Sequence, residues 1–156
     1  MKPVLIGADD AGFYLKEDLK VFLKEIGQSF VDVGCHSAEP VDYPLIATKA
    51  CEALLTGPYE RALLICGTGI GMAICANKFP GVRAAVCHDV YSAERARKSN
   101  NAQVMTLGAR VIGSELAKTV VKAWLASEFS GGASAQKVAE IDELDKKYRT
   151  QGAGSR

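Results

Sequence analysis

The chain has 156 residues, 48% of them hydrophobic, and this length fits one globular domain with a sizeable core. It carries 19 lysines and arginines against 18 aspartates and glutamates, so its formal net charge is +1. No block of like charges occurs in the sequence. This balance excludes the basic footprint of a protein that binds nucleic acid or an anionic membrane surface, and we expect a small molecule as the partner.

Membrane insertion and secretion are not indicated. No apolar run approaches the roughly 18–20 residues of a transmembrane helix. The opening Met1–Ile6 holds a strand-length apolar run rather than the two regions of a secretory signal. We therefore expect a cytoplasmic protein.

The cysteines are odd in number and irregularly spaced, and only two histidines accompany them. They are Cys35, Cys51, Cys66, Cys75 and Cys87, and the histidines are His36 and His88. Neither a disulfide framework nor a zinc site is supported by this pattern, so we predict no metal. A cysteine in such a protein is ordinarily a small buried hydrophobe.

Five short apolar segments rich in valine, isoleucine and leucine are typical of strands buried on both faces. They are Pro3–Gly7, Ser29–Gly34, Arg61–Cys66, Val82–Cys87 and Gln103–Leu107. Stretches with helical spacing lie between them, at Phe13–Ile26, Tyr43–Leu55, Ile70–Lys78 and Tyr91–Lys98. This alternation predicts a Rossmann-like, doubly wound α/β fold with about five parallel strands, helices on both faces and right-handed crossovers.

Two further helices are predicted after the last strand. Ser114–Phe129 is strongly amphipathic, and Ala135–Tyr148 is more polar and has a small apolar face. That second helix either packs on its own domain or docks on a neighbouring subunit. We expect one domain over residues 1–149 and a disordered tail, Thr150–Arg156, because the tail is rich in glycine and serine.

Ligands of open parallel sheets bind beyond the carboxyl ends of the strands. Asp9 and Asp10 follow the first predicted strand, Cys35 and His36 the second, and His88 the fourth. The third strand runs into the sequence CGTGIG, residues 66–71, which opens a helical stretch. Backbone N–H groups can converge there on an anion, although the loop lacks the lysine of a Walker loop and the spacing of a dinucleotide-binding fingerprint.

Cys66 stands immediately before this glycine-rich loop, an environment that favours a thiolate. Such a thiolate suits either nucleophilic or redox chemistry, or proton abstraction next to a carbonyl while the loop holds the enolate oxygen. Cys66 could equally be the last buried residue of a strand. Thr68 could be a helix N-cap or could carry a proton between the oxygens of an enediol.

Five segments are specific when they are taken together. They are GADDAGFYLK (Gly7–Lys16), VDYP (Val41–Pro44), ICGTGIGMAICANKFPGVRAAVC (Ile65–Cys87), YSAERARKSNNAQVMTLGARVIG (Tyr91–Gly113) and AWL (Ala123–Leu125). This pattern resembles the ribose-5-phosphate isomerase B family, which includes the galactose-6-phosphate isomerase subunits. The resemblance implies a Rossmann-like fold, a homodimer or tetramer with sites between subunits, and isomerisation of a sugar phosphate through an enediolate without metal or cofactor.

The resemblance also implies roles for individual residues. Cys66 matches the base that moves a proton between C1 and C2, and Thr68 matches the group that transfers the hydroxyl proton. The loop that holds the enediolate corresponds to Gly67, Gly69, Ile70 and Gly71. Substrate contacts correspond to Asp9 and Tyr43, and the sugar and phosphate end to Asn100 and Arg110, which the resemblance places in the pocket of the other subunit.

The chain departs from the family pattern at the ends of this pocket. Asp10 stands where many members have histidine, and Ser99 replaces the histidine that opens the sugar ring. Two arginines near the last helix correspond to Ala133 and Lys137. His88 is a candidate to replace the lost acid, or is a structural residue. These changes leave the proton-transfer residues intact but alter the expected substrate.

Three functions are compatible with the residues. The first is an aldose–ketose isomerase, either for ribose 5-phosphate or for a mainly open-chain substrate such as a tetrose 4-phosphate. The second is a non-catalytic partner subunit, which the intact Cys66 and Thr68 argue against. The third is a cysteine-dependent hydrolase or redox enzyme, for which the sequence shows no histidine motif beside Cys66.

Overall fold

The computed structural model describes residues 2–151 and contains a five-stranded sheet between two layers of helices. The strands are β1 (Val4–Ala8), β2 (Phe30–Gly34), β3 (Ala62–Cys66), β4 (Ala84–Val86) and β5 (Val104–Gly108). The helices are α1 (Phe13–Glu25), α2 (Tyr43–Thr56), α3 (Ile70–Ala76), α4 (Val90–Lys98), α5 (Ser114–Leu125) and α6 (Ala133–Gln151).

All strand pairs are parallel, and the strand order is β2-β1-β3-β5-β4. The chain moves outward from β1 to β2 and then returns to place β3 on the other side of β1. A crevice opens at such a reversal, at the carboxyl ends of the two strands. The predicted doubly wound α/β fold is confirmed.

The two faces of the sheet are packed by different helices. Alternate strand residues such as Ile6 and Ile65 join α1, α4 and α5 in one core. Their neighbours, including Leu64 and Cys66, face the other way and pack with α2 and α3. Because strand side chains alternate in direction, this register directs the Cys66 side chain toward α3.

Several predicted boundaries differ from the structure. Strand β4 spans Ala84–Val86 rather than Val82–Cys87, and α3 ends at Ala76. Helix α5 ends at Leu125 rather than Phe129, because the Arg61 guanidinium donates hydrogen bonds to the carbonyl oxygens of Trp124 at 2.7 Å and Ser127 at 2.7 Å. A cation at this position satisfies carbonyl groups that the last turn leaves unpaired.

Helix α6 lies on its own domain through polar contacts. Arg83 pairs with Asp142 at 2.9 Å, Asp145 accepts from the backbone N–H of Gly81 at 2.7 Å, and Arg149 donates to the carbonyl oxygen of Asn77 at 2.6 Å. The helix continues through Gln151, into the segment predicted to be a disordered tail. The remaining tail, residues 152–156, lies outside the described residues.

The small apolar face predicted for α6 is only partly covered. Val138 is buried, whereas Ile141 and Leu144 are exposed.

Over residues 2–151, no helix is long and apolar enough to cross a membrane.

Candidate active site

A cavity of about 450 Å³ lies at the carboxyl ends of β1 and β3, where the strand order reverses. It receives the loops after β1, β3 and β5 and the first turn of α2. The side chains and backbone that line it belong to Asp9, Asp10, Ala11, Tyr43, Cys66, Gly67, Thr68, Ile70, Gly71, Ile74 and Arg110. The structure thus brings together most of the residues that the sequence suggested, although they come from segments as distant as Asp9 and Arg110.

Cys66 ends β3, and its sulfur accepts a hydrogen bond from the backbone N–H of Gly69 at 3.1 Å. Gly69 has a φ of +77°, a left-handed conformation that glycine adopts without strain. The loop turns back at this residue and brings its own amide onto the sulfur. A donor at the sulfur stabilises a negatively charged thiolate.

The other four cysteines have no comparable setting. Burial raises the pKa of Cys51 and Cys87 to about 11, and it also raises the pKa of Cys35 and Cys75. All five are free thiols. Cys66 alone lines the cavity.

Thr68 is exposed on the cavity side of the loop, and its hydroxyl oxygen accepts from the N–H of Ile70 at 3.3 Å. The helix N-cap is Gly69 rather than Thr68. The Thr68 hydroxyl proton is therefore free to be donated into the cavity. This position suits the predicted transfer of a proton between neighbouring oxygens of a substrate.

Asp9 is a buried carboxylate at the tip of β1, and it accepts from the N–H of Gly12 at 3.1 Å. Burial raises the pKa of Asp9, and the like charge of Asp10 adds to this, while Gly12 and Arg110 oppose it. A carboxyl group with a raised pKa is suited to exchange protons with a substrate hydroxyl.

Asp10 fixes the approach to α2, since its carboxylate accepts from the backbone N–H of Val41 at 3.1 Å. Tyr43 follows at the start of that helix, and its ring packs on Gly71. A Cβ at Gly71 would lie 2.6 Å from the Tyr43 ring, so only glycine allows this contact. Tyr43 and Gly71 both line the cavity.

The residues after β5 lie beneath the glycine-rich loop of residues 66–71, which we propose below as the catalytic loop. Ala109 and Arg110 donate backbone hydrogen bonds to the carbonyl oxygens of Cys66 at 2.9 Å and Gly67 at 3.0 Å. These bonds place the Arg110 side chain in the cavity of its own chain, whereas we expected it in the pocket of a partner subunit. Arg110 is the cation that lines this cavity.

Four predicted site residues lie outside the cavity lining, and one of them, Gly69, is buried in the loop beside the Cys66 sulfur. Ser99 and Asn100 follow the end of α4, where the Ser99 hydroxyl accepts from Arg95 at 3.2 Å, and Lys137 lies on α6. His88 is also outside, and its Nε2 accepts from the N–H of Gly108 at 2.8 Å. That bond occupies the lone pair that an acid–base group would use.

Three residues at the site were missed by the sequence reasoning. Ala11 and Ile74 line the cavity, and the Thr106 hydroxyl bonds to Gly69 from below. Thr106 is a polar residue within an otherwise apolar strand, and this exception to the apolar pattern could have indicated its role.

Within residues 2–151, no cluster of metal-ligating side chains occurs.

One cavity of this doubly wound sheet thus holds a thiol beside a backbone N–H, a hydroxyl and a buried carboxylate. This set of groups is typical of enzymes that transfer protons. Comparisons with known proteins agree with this class. The family described as Ribose/Galactose Isomerase matches residues 4–141.

Individual relatives are similar over almost their full length. The chain is 52% identical to a ribose-5-P isomerase B of Listeria innocua, over 94% of this chain and 99% of the relative. It is 48% identical to a D-erythrulose-4-phosphate isomerase of Pectobacterium atrosepticum, over 97% and 100%. The solved ribose-5-phosphate isomerase B of Clostridium thermocellum superposes with a TM-score of 0.91 at 45% identity, over 94% and 99%.

The chain therefore belongs to the ribose/galactose isomerase family, and it is an isomerase that interconverts aldoses and ketoses. The resemblance seen in the sequence is confirmed.

Proposed function

We propose that this protein isomerises an open-chain sugar phosphate through an enediolate, with Cys66 as the base. The Cys66 thiolate removes the proton from C2 of the aldose, and the C2 electron pair forms the double bond to C1 while O1 becomes the oxyanion. Thr68 transfers the hydroxyl proton from O2 to O1. The thiol of Cys66 then returns its proton to C1, and the carbonyl is now at C2.

The observation that carries this proposal is the 3.1 Å contact between the Gly69 N–H and the Cys66 sulfur inside the cavity. The N–H stabilises the thiolate before the proton transfer. Backbone amides of the same loop can hold the enediolate oxygen, and preorganised donors of this kind commonly contribute about 3–4 kcal/mol each to lowering a barrier. Asp9 and Tyr43 face the sugar hydroxyls, and Arg110 supplies the positive charge for the phosphate.

Exchange of the C2 proton with solvent tests this role of Cys66. In heavy water, the wild type should incorporate deuterium at C2 of a sugar phosphate substrate. Cys66→Ala should lower this exchange by about a thousandfold, because a positioned general base typically contributes about 10²–10⁴-fold. Cys75→Ala, a matched change on α3, should retain it. Substantial exchange by a folded Cys66→Ala variant would contradict the proposal.

For the substrate, we propose a tetrose 4-phosphate in preference to ribose 5-phosphate. Ring opening of a furanose needs an acid and a base, and Ser99 is a far weaker acid–base group near pH 7 than histidine. A tetrose 4-phosphate cannot close a furanose, because its O4 carries the phosphate. A relative that is 48% identical is named for D-erythrulose 4-phosphate, which supports this choice.

Steady-state kinetics on two substrates test the preference. The value of kcat/KM for erythrose 4-phosphate should exceed that for ribose 5-phosphate, and Ser99→His should shift the ratio toward ribose 5-phosphate. A wild-type preference for ribose 5-phosphate of about tenfold, or 1.4 kcal/mol, together with an unchanged ratio in Ser99→His, would reject it.

We also propose that the active unit is a homodimer or a tetramer of two homodimers. Ser99, Asn100 and Lys137 lie outside the cavity of their own chain, and a second subunit would supply them to it. The exposed Ile70 and Ile74 at the cavity rim offer apolar surface for that contact. Sedimentation equilibrium at micromolar concentration should exceed the monomer mass of 16.6 kDa. A monomer would contradict this proposal.

The cytoplasm is the proposed compartment. Five free thiols suit a reducing environment, and charged sugar phosphates are retained there. Cell fractionation with an antibody against the chain would test this location, and recovery outside the cytoplasmic fraction would contradict it.

A further inference from the structure

Thr106 is a buried polar residue in the middle of β5, on the face of the sheet that packs against α3. Its side chain has no solvent exposure, and its neighbours Met105 and Leu107 belong to the opposite core. In the parallel register, Thr106 lies beside Leu64, two residues before Cys66. The strand therefore directs one hydroxyl toward the underside of the catalytic loop.

The Thr106 hydroxyl donates a hydrogen bond to the carbonyl oxygen of Gly69 at 2.7 Å. The same oxygen accepts from the N–H of Ala73 at 3.1 Å, as the first hydrogen bond of α3. On its other side, Gly69 donates its own N–H to the Cys66 sulfur. One residue thus connects the rigid strand to the reacting thiol.

Gly69 needs this restraint, because it lies in a loop with three glycines and has a φ of +77°. Glycine loses much conformational freedom when it is held in one backbone conformation. A β-branched side chain on a central strand has a restricted χ1, so its hydroxyl occupies a defined position. The Leu107 backbone lies 2.9 Å from where a Gly69 Cβ would be, which closes the remaining space beneath the loop.

We infer that Thr106 is a positioning residue for the isomerase reaction: its hydroxyl holds Gly69 so that the Gly69 N–H stays directed at the Cys66 sulfur. The inference rests on the proposed role of Cys66 as the base. Thr106 itself does not line the cavity and touches no substrate. Its effect is on the proton-transfer step and on the reactivity of the thiol, rather than on substrate binding.

Three substitutions of Thr106 distinguish the effect of its hydroxyl group from the effect of its packing. Thr106→Val keeps the shape and removes the hydroxyl, whereas Thr106→Ala removes both the hydroxyl and the methyl group. Thr106→Ser restores the hydroxyl and leaves the same methyl-sized space as alanine. Thr119→Val on α5 is the control, since the Thr119 hydroxyl bonds only to the helix carbonyl of Glu115 at 3.1 Å.

Two readouts are measured on the folded full chain, with melting temperatures recorded for every variant. The first is kcat and KM for erythrose 4-phosphate and ribose 5-phosphate. The second is the rate at which iodoacetamide modifies Cys66 at pH 7 without substrate, followed by mass spectrometry. We expect Val and Ala to lower kcat by about tenfold with KM within about threefold, and to slow Cys66 modification by about fivefold. Ser should stay within about twofold of the wild type in both readouts.

Comparing Thr106→Ser with Thr106→Ala isolates the effect of the hydroxyl even where packing contributes, because these two variants differ only in the hydroxyl. Equal kcat and equal Cys66 modification rates in Ser and Ala would overturn the inference, as would wild-type values in Thr106→Val. The proposed function fails separately: if Cys66→Ala keeps C2 exchange, the isomerase has another base. The modification rates would still report whether Thr106 controls the thiol.

Discussion

Two aspartates near the carboxyl ends of neighbouring strands have opposite environments. Asp9 follows β1, faces the cavity, and accepts from the backbone N–H of Gly12 beside the like charge of Asp10. Asp32 lies within β2 and accepts from Lys16 at 2.6 Å, from Lys20 at 2.8 Å and from the N–H of Gly34 at 2.9 Å. Burial raises the pKa of Asp9. Burial acts in the same direction on Asp32, but the two lysines outweigh it and lower its pKa.

The contrast is between a carboxylate that faces the cavity, for which we propose a role in proton exchange, and one that is held by two lysines. Lys16 is fully buried, and it also donates to the carbonyl oxygen of Cys35 at 2.6 Å, so the pair anchors the loop after β2. Asp9 is left with a poorly stabilised charge in the cavity, as proton exchange requires. The charged Asp32 carboxylate therefore stabilises the folded protein, whereas the charged Asp9 carboxylate destabilises it, although Asp9 follows β1 and Asp32 lies within the neighbouring β2.

The largest effect is expected from Asp32→Asn. The change removes the 2.6 Å ion pair of the fully buried Lys16 ammonium and leaves it the more distant carboxylate of Glu17 at 3.5 Å. Breaking a buried ion pair in this way costs about 3 kcal/mol. For a chain of this size, the melting temperature should fall by about 10 °C. Thermal unfolding at pH 7 measures the loss, and Asp18→Asn on the exposed face of α1 is the control.

The pH dependence of that loss has a defined sign. Because the folded pKa of Asp32 is lowered, its contribution is present above the ordinary value of 3.8 and disappears as the pH falls through the folded pKa. The wild type and Asp32→Asn should therefore converge in acid. A difference that stays constant down to pH 2 would show that the ion pair is not its source.

The cysteines show a similar contrast. The Cys66 sulfur accepts a hydrogen bond from the N–H of Gly69, whereas burial raises the pKa of Cys51 and Cys87. A thiol with a pKa of about 11, as in Cys51 and Cys87, is ionised to about one part in a thousand at pH 8. We expect iodoacetate to modify Cys66 at least about a hundredfold faster than these two. Mass spectrometry after limited treatment measures the order of modification. Labelling of Cys51 or Cys87 before Cys66 would reverse the assignment.

The smallest effect on stability is expected from Asp9→Asn, and it is a gain. Since the folded pKa of Asp9 is raised, the folded protein binds the proton more tightly than the unfolded chain does. Its stability therefore falls as the pH rises above the ordinary value of 3.8 through the raised one. Asparagine can still accept from Gly12 and carries no charge.

The melting temperature of Asp9→Asn should exceed that of the wild type at pH 7, and the difference should vanish near pH 3. Isomerase activity should fall at the same time, which is the usual exchange of stability for function at an active site. If Asp9→Asn is less stable than the wild type at pH 7, the charge of Asp9 does not destabilise the folded protein, and the contrast with Asp32 is wrong.

Much of the fold was predictable because its signals are local. The buried strands are apolar runs that end at glycine, aspartate or cysteine, and the alternation with helices specifies a parallel sheet. The end of α5 was not predictable, because Arg61 stops it from more than 60 residues away in the sequence. The short length of β4 also depends on strand pairing, since β4 lies at the edge of the sheet and pairs only with β5.

The family, the α/β class and the place of the glycine-rich loop could be predicted from local sequence patterns, because a cysteine followed by closely spaced glycines can form few structures at the end of a strand. The groups that contact this loop from elsewhere in the chain depend on the tertiary structure. Thr106, Ala109 and Arg110 reach it from β5 because the strand order places β5 beside β3, and strand order depends on packing across the whole sheet. The same packing engages His88 with Gly108 and leaves Ser99 outside the cavity, which no local pattern could specify.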